Sequence, residues 1–289
     1  MPQTPVSPVI RRLGADFRWP GGRRVAVVFN IAYEAWSEGK APGIGPMGNV
    51  LEKGYFDTNA HSWVSFGAIR GIHRLLDIAD ANGVKTSVMV NGVLAEQFPE
   101  TVKAAHQRGH EVLAHSWGMD VIPVYLDEEA ERANLRRSTA ALRQATGARP
   151  VGWISPRGTG SLATPRMLAE EGFLWHGDCN DDDLPYVLEF GERRLVAIPL
   201  TMDVNDLPWS IRYGHPPAGL ADVFRQTLEA LRKREKRAVM MDATAHTHVF
   251  GRAAGAWVFD DMMRHARGLD DVWIATREQV ARHVLDYVG

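Results

Sequence analysis

Short apolar runs and amphipathic helical patterns alternate along this chain from residue 24 to its end, and that alternation admits few folds. Strand-like runs fall at 24–31, 84–90, 111–114, 151–155, 173–176, 195–200, 238–241 and 272–275. Helical spacing of apolar residues marks 67–81, 94–108, 127–146, 164–171, 220–234, 259–267 and 277–288 between and after them. Run 24–31 is almost continuously apolar, as a central parallel strand covered on both faces should be. Strands separated by helices predict an α/β fold with a parallel sheet. Roughly eight such strands make either a parallel barrel or a doubly wound sheet, in a single domain; the segment 178–194 joins two strands with no helical pattern, so a barrel would be irregular or incomplete. Residues 1–22, rich in proline and glycine, read as an irregular lead-in, and 23–289 as the barrel.

The loop at 35–61 is too long for a simple connection and therefore reads as functional. It contains Gly43-Ile44-Gly45-Pro46-Met47-Gly48, a formal dinucleotide fingerprint, but no strand enters it and no helix leaves it. That context excludes the fingerprint's usual meaning.

In a parallel barrel the strands' carboxyl ends share one mouth, where chemistry collects. Here they deliver Asn30, Tyr33 and Glu34; then His115, Ser116, Trp117 and Asp120; then Ser155 and Arg157. Asp178, Asn180 and the run 181–183, Asp203 and Asn205, and finally Asp242, His246 and His248 follow. Carboxylates, imidazoles and an arginine recurring at successive strand ends suit acid–base hydrolysis. Singly, each has a plainer reading: a histidine after a strand is commonly structural, and Asp181-Asp182-Asp183 before Pro185 makes a solvated turn. A net charge of -2 gives no reason to expect nucleic acid or an anionic membrane as partner. The lone cysteine, Cys179, excludes an internal disulfide and suits a reducing compartment, so a cytoplasmic protein acting on a small molecule is expected.

Several segments together resemble the polysaccharide deacetylase superfamily (carbohydrate esterase family 4), and within it the allantoinase-like and cyclic-imidase-like branch. They are Trp19-Pro20-Gly21, the stretch 30–34, Gly109-His110-Glu111 leading to His115-Ser116-Trp117, and Pro150-Val151-Gly152-Trp153 leading to Arg157. Asp181-Asp182-Asp183-Leu184-Pro185-Tyr186, the stretch 199–206, and His246 followed by Gly251-Arg252 complete the set. The resemblance implies a distorted (β/α) barrel of seven or eight parallel strands in a single domain, and hydrolysis of non-peptide C–N bonds, either N-acetyl groups on amino sugars or ring amides. It also implies homo-oligomerisation.

Metal-dependent deacetylases of this family carry paired aspartates after the first strand and a His-Ser/Thr-x-x-His motif. This chain has Asn30, Ala32 and Glu34 at the first place, and Met119 where the second histidine would stand. A thioether is a poor zinc ligand beside hard oxygen donors. The expectation is therefore opening of a small cyclic amide, imide or ureide by activated water. Glu34 is the candidate base, His246 the acid, His115 a group that polarises the carbonyl, and Arg157 an orienting cation. Trp117, Trp153, Asp183 and Asn205 are candidate substrate-binding residues, the two indoles serving equally well as core. Cofactor need is read as none, or a weakly held divalent metal such as zinc on His115 with Glu34 or Asp120. The alternatives are a metal-dependent deacetylase and a non-catalytic binding relative.

Overall fold

The computed structural model describes residues 7–42, 51–52 and 54–289, so the stretch Gly43-Ile44-Gly45-Pro46-Met47-Gly48 lies outside the described residues. The strands are β1 (Val9–Arg12), β2 (Val25–Tyr33), β3 (Ser87–Val90), β4 (Glu111–Ala114), β5 (Gly152–Trp153), β6 (Trp175–His176), β7 (Tyr186–Phe190), β8 (Arg193–Ala197), β9 (Val239–His246) and β10 (Val272–Ala275). The helices are α1 (Thr58–Phe66), α2 (Ile72–Ala81), α3 (Gly92–Gln97), α4 (Pro99–Gln107), α5 (Glu128–Thr146), α6 (Thr164–Glu170), α7 (Ala218–Arg234), α8 (Ala253–Arg267) and α9 (Arg277–Val288).

The central strand is β2, buried at all nine positions. It pairs in parallel with β9 from Val25↔Val239 to Ala32↔His246. Its other edge is shared in succession by β10, beside 25–28, and β3, beside 30–33. From β3 the parallel sheet continues through β4, β5, β6 and β8. The gap between β8 and β9 is bridged by Thr201 and Asp242, whose backbone N–H groups each donate to the other's side chain, and by an Asn205–Thr244 bridge. This is a distorted parallel barrel. Where it lacks a helix, the chain makes β7, antiparallel to β8 and to β1. The lead-in is thus less irregular than its composition suggests: it supplies β1, and Phe17 and Trp19 enter the core.

Alternation along β2 divides the interior. Val25, Val27, Phe29, Ile31 and Tyr33 face the helices, whereas Ala26 and Val28 pack inside with Leu113, Ile154, Val196 and Met240. Phe17, Trp19 and the apolar face of α9 (Val280, Ala281, Val284) close the lower end. Above that plug, Arg277 reaches inward from the start of α9, bonded to Asn30 Oδ1, the Ile198 carbonyl and Asp242. Expected helix boundaries shift where local chemistry overrides periodicity. The 67–81 pattern begins upstream as α1 and joins α2 through a π-helical turn at Gly67–Gly71, which shortens the preceding loop. The 94–108 pattern breaks at Phe98, because Pro99 cannot donate a helical hydrogen bond. The longest helix, α5, starts where the Asp127 side chain caps the Ala130 N–H and stops at left-handed Gly147.

Candidate active site

Three strands converge on one carboxylate. Glu34 follows β2, His115 follows β4 and His246 ends β9, and all three side chains are buried. Glu34 Oε1 lies 3.4 Å from Nε2 of His115 and 3.4 Å from Nε2 of His246. Each imidazole is fixed from behind. His115 Nδ1 lies 2.5 Å from the Ile154 carbonyl, which can only accept, so Nδ1 carries a proton. Its other nitrogen, Nε2, is the one that faces Glu34. His246 Nδ1 is 2.6 Å from Asp206 Oδ1, and Asp206 Oδ2 accepts the backbone N–H groups of His246 and Phe250.

Electrostatics assigns different protonation to these neighbours. Burial works against charge on His246, but Glu34 and Asp206 override it and lift its pKa to about 10. Burial likewise pushes Glu34 up, and His246 and His115 outweigh that, holding it well below the ordinary carboxylate range. Near neutrality the centre is an ionised Glu34 facing an imidazolium at His246. Among the described residues, the second oxygen of Glu34, Oε2, is buried with no hydrogen-bond partner.

Local sequence explains the placement. Asn91, directly after β3, accepts the Ala35 N–H and donates to the His115 carbonyl, tying the ends of β2 and β4 together. Ser116 sits in the left-handed region at φ 62°, held there by bonds from its hydroxyl to the Val121 carbonyl and from Asn134. Such strain in a non-glycine residue persists only where the surroundings fix it.

Other expected site residues stand elsewhere. Trp153 is a core residue: it packs against Phe173 and its Nε1 donates to Ser155. Trp117 lies against Gly92 of α3 with the Arg137 guanidinium 3.3 Å over its ring, so it cements helices to the barrel. Asp183 accepts the Met240 N–H at the start of β9, six residues and about 20 Å of strand from His246. The chain is drawn there because 178–185 runs down into the β7 hairpin. Asn205 Oδ1 accepts the Leu207 N–H. Arg157, at φ 62°, is exposed, in contrast to the buried cluster. Asp120 accepts the Ser37 N–H with Oδ1, so it fastens the loop after β2. Sequence reasoning did not select Asp206 or Asn91 as site residues. Asp206 was visible within the 199–206 segment, but its direction depends on a turn that spacing does not encode.

The zinc centre of metal-dependent relatives does not fit these donors. Met119 stands where a histidine would, and Asp120 is engaged by the Ser37 N–H. Among the described residues, no group of three or more His, Cys, Asp and Glu side chains is arranged to hold a metal ion.

A distorted parallel barrel with a buried carboxylate–imidazole cluster at its carboxyl mouth is a scaffold for acid–base chemistry. The family model "Polysaccharide deacetylase" matches residues 67–173. A Schizosaccharomyces pombe protein named "Putative polysaccharide deacetylase" is 23% identical, covering 91% of both chains. Among solved structures, a "probable polysaccharide deacetylase" from Pseudomonas aeruginosa superposes with a TM-score of 0.82 at 28% identity, covering 92% of each chain. Puue allantoinase superposes with a TM-score of 0.81 at 25% identity, covering 92% of this chain and 91% of that one. Residues 67–173 thus match a polysaccharide deacetylase domain, and the chain over nearly its whole length is similar to proteins so named. At a coarse level this supports a hydrolase acting on C–N bonds.

Proposed function

We propose that the protein opens a small cyclic amide, imide or ureide with an activated water. The observation that carries this reading is the pairing of an ionised Glu34, one oxygen unpartnered, with a protonated His246 braced by Asp206. Glu34 takes a proton from water as the oxygen attacks the carbonyl carbon, giving a tetrahedral oxyanion. His246 Nε2 then gives its proton to the departing ring nitrogen, and the C–N bond breaks. Base and acid are thus supplied by one chain at fixed separation, the requirement for general acid–base catalysis. Asp206 acts through His246: it fixes the ring and stabilises the imidazolium. His115 fixes Glu34 from the opposite side.

Burial of Glu34, His115 and His246 favours a small substrate over a polymer. No helix among the described residues is long and apolar enough to cross a membrane. The test is turnover of succinimide, hydantoin and N-acetylglucosamine by purified protein, with bound zinc measured on the same sample. Turnover of a cyclic amide that survives chelation, and falls at least 100-fold in His246→Ala, is the expected result. Stoichiometric zinc with chelator-sensitive deacetylation of the sugar would instead establish a metal-dependent deacetylase.

A further inference from the structure

Two residues beyond His246 stands a third imidazole that the mechanism above does not use. His248 is fully buried, and among the described residues neither of its ring nitrogens has a hydrogen-bond partner. Buried polar atoms are almost always satisfied, so two orphaned nitrogens on one ring call for an explanation. The surroundings are specific. Trp63 of α1 meets the ring edge-on at 4.7 Å between centroids, Trp36 does so at 5.6 Å, and His246 lies at 5.7 Å. The adjoining Thr247 hydroxyl and Glu34 Oε2 are also unpartnered.

The backbone carrying His248 is held tightly. A methyl group on Gly71 would come within 1.9 Å of the Thr247 carbonyl, and one on Gly251 within 2.0 Å of the same atom. A methyl group on Gly67 would come within 2.6 Å of the Thr247 hydroxyl. These contacts place the π-helical turn at Gly67–Gly71 directly on the 247–251 turn, and π-turns of this kind occur often at functional sites. Arg252 donates from Nε to the His248 carbonyl and from Nη2 to the Trp63 carbonyl, locking the cage wall to the turn.

We propose that His248 is a substrate-orienting residue, its neutral imidazole hydrogen-bonding the amide group of the ligand between Trp36 and Trp63. Burial, reinforced by His246 and Arg252 and opposed by Glu34, drives its pKa down to about 3, so the ring stays neutral and presents one donor and one acceptor. An amide, imide or ureide carries both a C=O acceptor and an N–H donor, so it can bond to a ring nitrogen in either role. Of the two indoles on the ring, Trp36, on the segment after β2, is the more exposed, being half-buried where Trp63 is buried. This rests on the amide-hydrolase reading and specifies which group orients the substrate.

The test compares wild type, His248→Leu and His248→Gln on whichever of succinimide, hydantoin and N-acetylglucosamine the wild type turns over. The leucine variant removes an unsatisfied polar group, so its thermal midpoint should not fall, while KM rises roughly tenfold to hundredfold and kcat changes less. The glutamine variant, which restores a donor and an acceptor, should recover most of the loss. An unchanged KM in His248→Leu, or a lowered thermal midpoint with no recovery by glutamine, would show a structural histidine and overturn the proposal. Turnover of N-acetylglucosamine alone would sink the cyclic-amide reading while leaving His248 to be judged on that substrate's KM. Absence of turnover on all three would overturn both.

Discussion

Replacing Asp206 by Asn tests whether His246 is held as a proton donor. The carboxylate stands 2.6 Å from His246 Nδ1, and with Glu34 it lifts the imidazole's pKa to about 10. Taking the charge centres as about 4 Å apart at an effective dielectric near 20, one carboxylate contributes about 4 kcal/mol. That equals about 3 pH units, so the variant's His246 should titrate near about pH 7. The acid form is required for leaving-group protonation, so activity should be lost as pH rises through this value. Wild type should hold its kcat/KM to about pH 9, whereas the variant should already have lost about 90% at pH 8 relative to its own acid plateau. A pH profile from 5 to 10 on the turned-over substrate separates this from simple damage. A variant with a uniformly lower profile and an unmoved upper limb would refute the assignment of His246 as the acid.

Other perturbations follow from the same geometry. Glu34→Gln removes the base while keeping its shape, so kcat should fall by a factor of about 10² to 10⁴ with KM nearly constant, read in steady-state kinetics. Burial raises Glu111 to about 7, so its contribution to stability is fully present below about pH 4.5 and lost as pH rises through 7. Urea midpoints should therefore fall between pH 5 and 8 by the equivalent of up to about 3 kcal/mol, and Glu111→Gln should abolish that slope. Gly71→Ala forces a methyl group onto the Thr247 carbonyl, and a melt should show a loss of about 1–3 kcal/mol or more, with activity lost as the 247–251 turn shifts. Trp153→Phe should lower the thermal midpoint and leave KM unchanged, because the indole is core.

The legible part of this protein was what repeats. Strand and helix periodicity marked a parallel α/β fold, because burial on both faces leaves β2 no alternative to a continuous apolar run, and the family resemblance chose the barrel over an open sheet. Glu34 and His115 were legible because each follows a strand directly and the carboxyl ends of parallel strands must gather; His246 stands five residues beyond the expected strand 238–241 and was reached through the resemblance, and β9 runs on to include it. Residues further from a strand end could not be placed. Asp183 lies three residues before an antiparallel strand that breaks the α/β alternation, and this carries it to the wrong end of β9. Trp117 and Trp153 are apolar enough for a pocket or a core, and only the position of Arg137, Gly92 and Phe173 decides for the core. Asp206 escaped selection because its bond to His246 spans 40 residues.

What separates site from scaffold here is polar satisfaction. The barrel carries two tiers of buried polar groups, both sheltered from water. In the lower tier Arg277 bonds Asn30, Asp242 and the Ile198 carbonyl, while Glu111 takes bonds from Ser87, Trp175 and the Glu278 N–H. Every one of those side chains has a partner, so that tier has nothing left to offer a ligand, and its role is to pin α9 into the barrel floor. In the upper tier Glu34 Oε2, the Thr247 hydroxyl and both nitrogens of His248 have none; they make up four of the nine such atoms among the described residues. Each orphaned group costs about 1–3 kcal/mol of folding stability. A barrel that satisfies its lower interior yet leaves several such groups open around one ionised carboxylate has kept them for something that binds there. The open groups include both donors and acceptors, which matches a neutral, two-sided polar ligand such as an amide better than an anion or a cation.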